Sequence, residues 1–364
     1  MTFVVSGYYG FGNIGDEAVL AGILATFRRL HVDADLIVLS ADPGRTAREH
    51  PGVQAVHRMK LDQVVRATRR ADLVISGGGS LFQDVTSALS PHYYLSVLRL
   101  ARFLGRKTMI YAQGVGPLKR EGTRRAVARA MNRADLITVR DADSKRLLED
   151  IGVTKPIHLS ADPSFLIEPD VHEADRILNE HGLSAGEIIG VSLRPWSCAR
   201  NWLSEAARGI SLAADRLGAT VVCIPMQAPQ DEAVCRTVGN AAIIRSNNPR
   251  TIKGLIARCG LVVGMRLHSL IFAAGASTPF VPIVYDPKVA SFADACFSGN
   301  LAGLGKGSSS WLDVSDLTAE GVRDAVTAAW ESRGELVGCL ASRLPEFTDL
   351  ALESGRLAAG LLRA

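Results

Sequence analysis

The 364-residue sequence is missing the runs and spacings that mark several large protein classes. No apolar stretch approaches the ~20 residues of a membrane span. The apolar runs, such as 261–263 and 279–285, have the length of strands. No basic-plus-apolar leader opens the chain: Met1-Thr2-Phe3-Val4-Val5-Ser6-Gly7 runs directly into a strand pattern and a glycine-rich turn, so a cytoplasmic location is expected. The six cysteines (Cys198, Cys223, Cys235, Cys259, Cys296, Cys339) show neither CxxC nor Cys/His spacing, which predicts reduced, mostly buried thiols and no zinc. No other metal cluster is visible, since Asp16, Asp84 and Asp162 lie far apart, and Asp16 or Asp162 would serve equally well as a helix cap. What is abundant is apolar: 47% hydrophobic against 21% charged residues is the composition of a well-packed globular protein. The length exceeds what one core usually fills, so two domains are expected.

Strand and helix patterns alternate along the chain. Strands are predicted over 2–7, 34–40, 72–76, 107–112 and 135–139, with helices over 17–30, 61–70 and 91–104 between them. A Pro-containing linker follows near 161–169, and the rhythm resumes with strands over 188–193, 219–224, 261–263 and 280–285. Such alternation implies parallel sheets covered on both faces. The predicted class is therefore α/β, with two doubly wound Rossmann-like domains over 1–165 and 170–340 and an interdomain cleft. A final helix within 341–364 is expected to pack back across that cleft.

Charge is unevenly divided. Residues 1–165 hold 23 Lys and Arg against 16 Asp and Glu, a net +7, whereas the remainder holds 18 against 21, a net −3. Part of the excess lies on one predicted helix carrying Lys119, Arg120, Arg124, Arg125, Arg129 and Arg133, with Ala126, Val127, Ala130 and Met131 on its other face. Such a helix is ordinarily a solvated face, but it is also suited to an anionic membrane surface or a lipid-linked phosphate. No nucleic-acid partner is expected.

Several polar positions fall at the ends of predicted strands. In Gly264-Met265-Arg266-Leu267-His268 a buried strand delivers Arg266 and His268 to its carboxyl end, where a helix begins. In open α/β sheets ligands bind at this edge. Arg266 suits a carboxylate or phosphate, and His268 suits proton transfer near neutrality. Read alone, the pair fits equally well with Arg266 answering a neighbouring acid and His268 satisfying backbone groups. Three glycine-rich turns end strands in the first half: Gly7 to Asp16, with Gly12, Asn13 and Gly15; Gly77-Gly78-Gly79-Ser80; and Gln113-Gly114-Val115-Gly116. The first is not GxGxxG, and Ser40 stands where a ribose-binding acid would end the second strand, so a nicotinamide cofactor is disfavoured. In the second half, Arg194 and Trp196 also follow a strand and could hold part of a sugar-diphosphate ligand, although Trp196 serves equally well as a core residue.

The motifs GYYGFGNIGDEAVL, SGGGSLFQD, YAQGVGPL, TVRDADS, GMRLHSLIFA and YDPKV, in this order, make the chain resemble the polysaccharide pyruvyl transferase family, and most closely its CsaB-type cell-wall members. The resemblance implies a fold similar to the GT-B glycosyltransferases and phosphoenolpyruvate as donor substrate, with no cofactor. It also implies a 4,6-linked pyruvyl ketal on N-acetylmannosamine of a lipid-linked cell-wall precursor. The functional Arg and His of the family's RLH motif fall on Arg266 and His268, its first-domain Arg on Arg140, and the Lys of YDPK on Lys288. Candidate substrate-binding residues are Lys288, Gly12, Asn13, Gly15, Asp16, Gly78, Gly79, Ser80, Gln113 and Arg194, with a lipid-linked or nucleotide-diphosphate-linked sugar as acceptor. A nucleotide-sugar glycosyltransferase and a non-enzymatic nucleotide-sugar binding protein are the alternatives.

Overall fold

The computed structural model describes residues 1–85, 90–197, 201–297 and 311–363. Cys198, one of the six thiols considered above, lies outside them. The chain divides into two compact units: unit 1, Met1–Ile167 with Phe347–Ala364, and unit 2, Glu168–Glu346.

Unit 1 contains β1 (Thr2–Tyr9), α1 (Ile14–Arg29), β2 (Asp35–Ser40), α2 (Pro43–Glu49), β3 (Val53–His57), α3 (Leu61–Arg70) and β4 (Leu73–Gly77). It continues through α4 (Ser90–Phe103), β5 (Lys107–Gln113), α5 (Glu121–Met131), β6 (Leu136–Val139), α6 (Ala142–Asp150) and β7 (His158–Leu159). Among the described residues its sheet has the order β3-β2-β1-β4-β5-β6-β7, with every pairing parallel. The run Leu73, Val74 and Ile75 is buried on both faces, as a strand covered by helices on each side must be. Strand order reverses between β1 and β4, the switch point at which such sheets bind ligands.

Unit 2 repeats the plan with α7 (Val171–Glu180), β8 (Ile188–Ser192), α8 (Trp202–Leu217), β9 (Thr220–Cys223), α9 (Gln230–Cys235), β10 (Ala242–Ile243) and α10 (Pro249–Ala257). There follow β11 (Leu261–Gly264), α11 (Leu267–Gly275), β12 (Phe280–Val284), α12 (Pro287–Phe297), β13 (Leu312–Asp313), α13 (Ala319–Glu331) and α14 (Arg333–Arg363). Its sheet order among the described residues is β10-β9-β8-β11-β12-β13, with the switch point between β8 and β11. The fold is therefore α/β with two Rossmann-like units.

The final helix differs from the sequence expectation. It begins at Arg333 rather than within 341–364 and runs through Pro345 without ending. Its residues from Phe347 onward belong to unit 1. There Ser354 Oγ lies 2.8 Å from Thr138 Oγ1 and 3.0 Å from Ser160 Oγ, and Ala358 joins the core formed by Phe27, Tyr111 and their neighbours. Gly355 permits this contact, since a Cβ there would lie 2.2 Å from Thr26 Cγ2. Tertiary packing of this kind overrides the weak helix propensity of the glycines and the proline.

Candidate active site

In unit 1 the glycine-rich turns all follow strand carboxyl ends. Asn13 caps α1, its side-chain oxygen accepting from Gly15 N at 2.9 Å and Asp16 N at 3.4 Å. Behind this turn Glu17, fully buried, accepts from Gly10 N at 2.8 Å and lies 3.3 Å from His50 Nε2. Glu17, Glu49 and His50 bring ligand-type atoms within 4.8 Å of one another, a grouping the sequence spacing did not reveal. Glu49 is paired with Arg45 at 2.7 Å, and the group acts as a brace for the Gly10–Asn13 turn. A second brace is Gln113, whose buried Nε2 donates to Gly79 O at 2.7 Å and Gly78 O at 3.1 Å. Gly78 and Gly79 both have positive φ, and a Cβ on Gly79 would lie 2.4 Å from Asp16 Oδ1, so the turn requires glycine and closes directly over Asp16.

Arg140 follows β6 and sits beneath this turn with only 6% of its side chain exposed. Its Nη1 meets buried Asp162 at 2.6 Å, and its Nη2 donates to Ser80 Oγ at 3.2 Å. Gly12, Asn13, Gly15, Asp16, Gly78, Gly79, Ser80, Gln113 and Arg140 thus gather at one edge of one sheet. Asn13 and Gln113, expected to bind substrate, hold the turns in this structure. Asp84 is structural as well, because both its oxygens accept backbone N–H groups, from Lys119 at 2.7 Å and Arg120 at 2.8 Å. Burial alone would raise its carboxyl pKa, but these two bonds with Thr123 and Arg120 outweigh it and hold the group below its ordinary value.

The same edge holds a cation that the sequence pattern did not mark. Arg58, just beyond β3, lies 3.9 Å from the Tyr93 ring centroid and 5.2 Å from that of Phe11, which stacks on Tyr8 at 4.1 Å. It forms no ion pair with a carboxylate among the described residues. The only signal for it was the Val53, Ala55 alternation of β3, too short to stand out. Burial raises the phenols of Tyr8 and Tyr94, the latter to about 12, so both remain hydrogen-bond donors at neutral pH.

In unit 2, Arg266 and His268 follow β11, Arg194 follows β8, and Tyr285 and Lys288 follow β12. The strand order puts β11 between the other two. Arg266 is not a free cation. Its Nε and Nη2 meet the two carboxylate oxygens of fully buried Asp231 at 3.0 and 2.5 Å, and Nη2 also reaches Gln227 Oε1 at 3.3 Å. Asp231 is itself fixed by Met226 N at 3.1 Å and Gln227 N at 3.0 Å. The pairing that sequence alone left open is therefore present, and it turns the guanidinium so that Nη1 makes no hydrogen bond among the described residues. His268 stands half-buried in the first turn of α11. Lys288 Nζ lies 3.2 Å from Asp286 Oδ2.

Arg194 contrasts with these cations. Its Nη1 donates to Tyr285 Oη at 3.2 Å, and the group lies 5.0 Å from the Tyr285 centroid and 5.6 Å from that of Trp196. It has no carboxylate partner among the described residues, and its buried Nε makes no hydrogen bond there. Arg266 and Lys288 are each neutralised by an acid, and Arg194 differs from them in having no acid partner among the described residues. Trp196 also contacts Tyr285, with centroids 4.8 Å apart, and its carbonyl accepts from Trp202 Nε1 at 2.9 Å.

The sequence model of the family described as polysaccharide pyruvyl transferase matches residues 13–287, three quarters of the chain, and so includes these edge residues except Lys288 and those before Asn13. The chain belongs to that family. A curated relative of this pyruvyl transferase chain is the amylovoran biosynthesis protein AmsJ of Erwinia amylovora, 22% identical over 353 residues and covering 79% of this chain and 84% of AmsJ. Among solved structures, a putative UDP-N-acetylglucosamine 2-epimerase from Listeria monocytogenes superposes with a TM-score of 0.62 at 10% identity, covering 97% of this chain and 94% of the other. The UDP-GlcNAc 2-epimerase of Neisseria meningitidis, bound to UDP-GlcNAc, gives 0.60 at 12% identity over the whole of both chains. The Phytolacca americana UGT2, complexed with UDP-2fluoro-glucose and pterostilbene, gives 0.55 at 10% identity, again over both whole chains. At these identities the likeness concerns the GT-B-like fold.

Proposed function

We propose that the protein is a CsaB-type ketal-forming transferase: it moves a pyruvyl group from phosphoenolpyruvate to the 4- and 6-hydroxyls of a sugar, N-acetylmannosamine in a lipid-linked cell-wall precursor, and releases phosphate. The observation that carries this reading is the set Arg194, Arg266, His268 and Lys288 at the carboxyl edge of adjoining strands in unit 2, beside its switch point. The reaction adds a proton to the methylene carbon of the donor while one sugar hydroxyl attacks C2. The phosphate then leaves with its C–O bonding pair, and the second hydroxyl closes the ketal. Of the two hydroxyl protons lost, one balances the proton on the new methyl group and the other leaves with phosphate. His268 is the group that moves a proton, a role in which imidazole works near neutrality.

Arg194 meets an anionic group of the donor, since no carboxylate answers its charge among the described residues. Arg266, locked by Asp231, offers Nη1 in a fixed direction, as preorganised transition-state stabilisation demands. In unit 1, Arg140 and Ser80, with the Gly78–Gly79 amides, form a separate group suited to anions and hydroxyls at the carboxyl edge of its own sheet. On this reading the reaction takes place in the cytoplasm, at the inner face of the cell membrane, where a lipid-linked acceptor would lie.

The fold likeness to UDP-sugar proteins favours one rival, glycosyl transfer from a nucleotide sugar. Incubation with phosphoenolpyruvate and a panel of N-acetylmannosamine-containing acceptors separates the two. Phosphate release that depends on acceptor supports pyruvyl transfer, whereas no release, with turnover of a nucleotide sugar instead, overturns it.

A further inference from the structure

The parallel topology of unit 1 fixes where its helices end. α4 and α5 each leave the carboxyl end of one strand and return to the amino end of the next, so their last turns lie at the amino edge of the sheet, opposite Arg140. There Arg99, Arg102, Arg129 and Arg133 line one hollow of about 270 Å³ together with Phe103. The cations of the predicted basic helix are thereby divided: Lys119 and Arg120 lie at the N-terminal end of α5, whereas Arg129 and Arg133 join two arginines of α4 at the other end.

Two features set this hollow apart from an ordinary solvated face. Several exposed arginines elsewhere find acids, as in Arg66–Asp62, Arg125–Glu121, Arg146–Asp143 and Arg176–Glu173, although others, such as Arg69 and Arg70, form no ion pair among the described residues. Among the described residues none of the four in the hollow pairs with a carboxylate, and the only hydrogen bond their side chains form is from Arg102 Nη1 to the Arg133 carbonyl. Asp135, two residues on from Arg133, is already held by Thr108 N at 2.7 Å and Thr108 Oγ1 at 3.0 Å. A basic last turn complements a helix dipole, which accounts for one cation per helix but not for four converging. The second feature is Phe103, 88% exposed at the rim. A soluble phosphate would satisfy the arginines and leave this ring in water. A membrane surface satisfies both.

We propose that the amino edge of unit 1 is a docking site for anionic phospholipid, with the four guanidiniums on headgroup phosphates and Phe103 inserted at the boundary between headgroups and acyl chains. Arginine forks bind phosphate bidentately, and an aromatic anchor beside a basic patch is the composition of a peripheral membrane contact. The docked unit presents its site edge away from the bilayer. β5 alone, seven residues long, separates the two edges by about 20 Å at the usual strand rise.

The test is co-sedimentation of the full chain with phosphatidylcholine vesicles, with and without phosphatidylglycerol. Binding is expected only with the anionic lipid and should weaken as salt rises. Arg102→Gln with Arg129→Gln should lower the partition coefficient about 25-fold, at roughly fivefold per charge removed. Phe103→Trp, in an otherwise unaltered chain, should shift its emission to the blue on anionic vesicles, a readout that does not depend on whether the arginine variant folds. Equal sedimentation with neutral vesicles overturns the proposal. So does displacement from vesicles by millimolar inorganic phosphate without any emission shift, which would assign the hollow to a soluble anion.

Discussion

Replacing Asp231 by Ala decides what Arg266 is for. The carboxylate is fully buried and takes four hydrogen bonds: two from the Arg266 fork and two from the Met226 and Gln227 amides. Removing it leaves a guanidinium, 13% exposed, without its partner, and breaking a buried pair in this way costs about 3–5 kcal/mol. For a unit the size of Glu168–Glu346, in which each kcal/mol shifts the midpoint by about 2–4 °C, the fall in Tm should be roughly 6–20 °C. The double variant Asp231→Ala, Arg266→Met strands neither charge, so its loss should be smaller than the sum of the two single losses by ~1 kcal/mol or more. Thermal and urea unfolding of all four proteins give the cycle. A shift of under about 2 °C for Asp231→Ala, or strict additivity in the cycle, would refute the reasoning. The Arg266 fork would then be available to substrate, as the RLH motif alone suggests.

His268→Ala should lower turnover by the ~10²–10⁴-fold of a lost general acid/base with the unfolding midpoint retained; full activity per folded molecule would remove His268 from the mechanism. Arg194→Met should raise the donor KM by about 10- to 100-fold, the loss of a charge-assisted contact of ~1.5–3 kcal/mol, and a donor KM within twofold of the parent would contradict the charge assignment. Asp84 has a carboxyl pKa below its ordinary value of 3.8, so its contribution to stability is complete above that value and is lost as pH falls through the folded pKa. The stability difference between the parent and Asp84→Asn should therefore shrink as pH is taken from 5 to 2, and a difference constant over that range would show that Asp84 is not what ties down the start of α5.

The main strands of both sheets are legible in the sequence because a strand buried on both faces must be continuously apolar, as Leu73–Ile75 and Leu261–Val263 are. Of the strands that escaped notice, β7, β10 and β13 are two residues each, too short to show an alternation, and β3 is five residues with only Val53 buried. At the site, Arg266 and His268 stand out because they end a strand of the continuously apolar kind, whereas Arg140 and Lys288 are marked by the resemblance to the family. Their partners do not stand out: Asp231 lies 35 residues before Arg266, and Asp162 lies 22 after Arg140. An acid at that remove is marked by nothing local. For the same reason the sequence could not separate Arg194, held by aromatic faces, from the cations that acids neutralise.

The passage of α14 from unit 2 into unit 1 orders events on the ribosome. The face of unit 1 that Ser354, Gly355 and Ala358 cover is made of residues synthesised first, around Thr26, Phe27, Tyr111 and Thr138. Its cover emerges only after all of Glu168–Glu346, a delay of roughly 10–35 s at ordinary elongation rates. During that interval the part of the first sheet's core that Ala358 completes lacks its cover. A fragment ending at Ile167 would lack the same cover, so it should be less stable than unit 1 within the full chain, a difference that urea unfolding of the two would read.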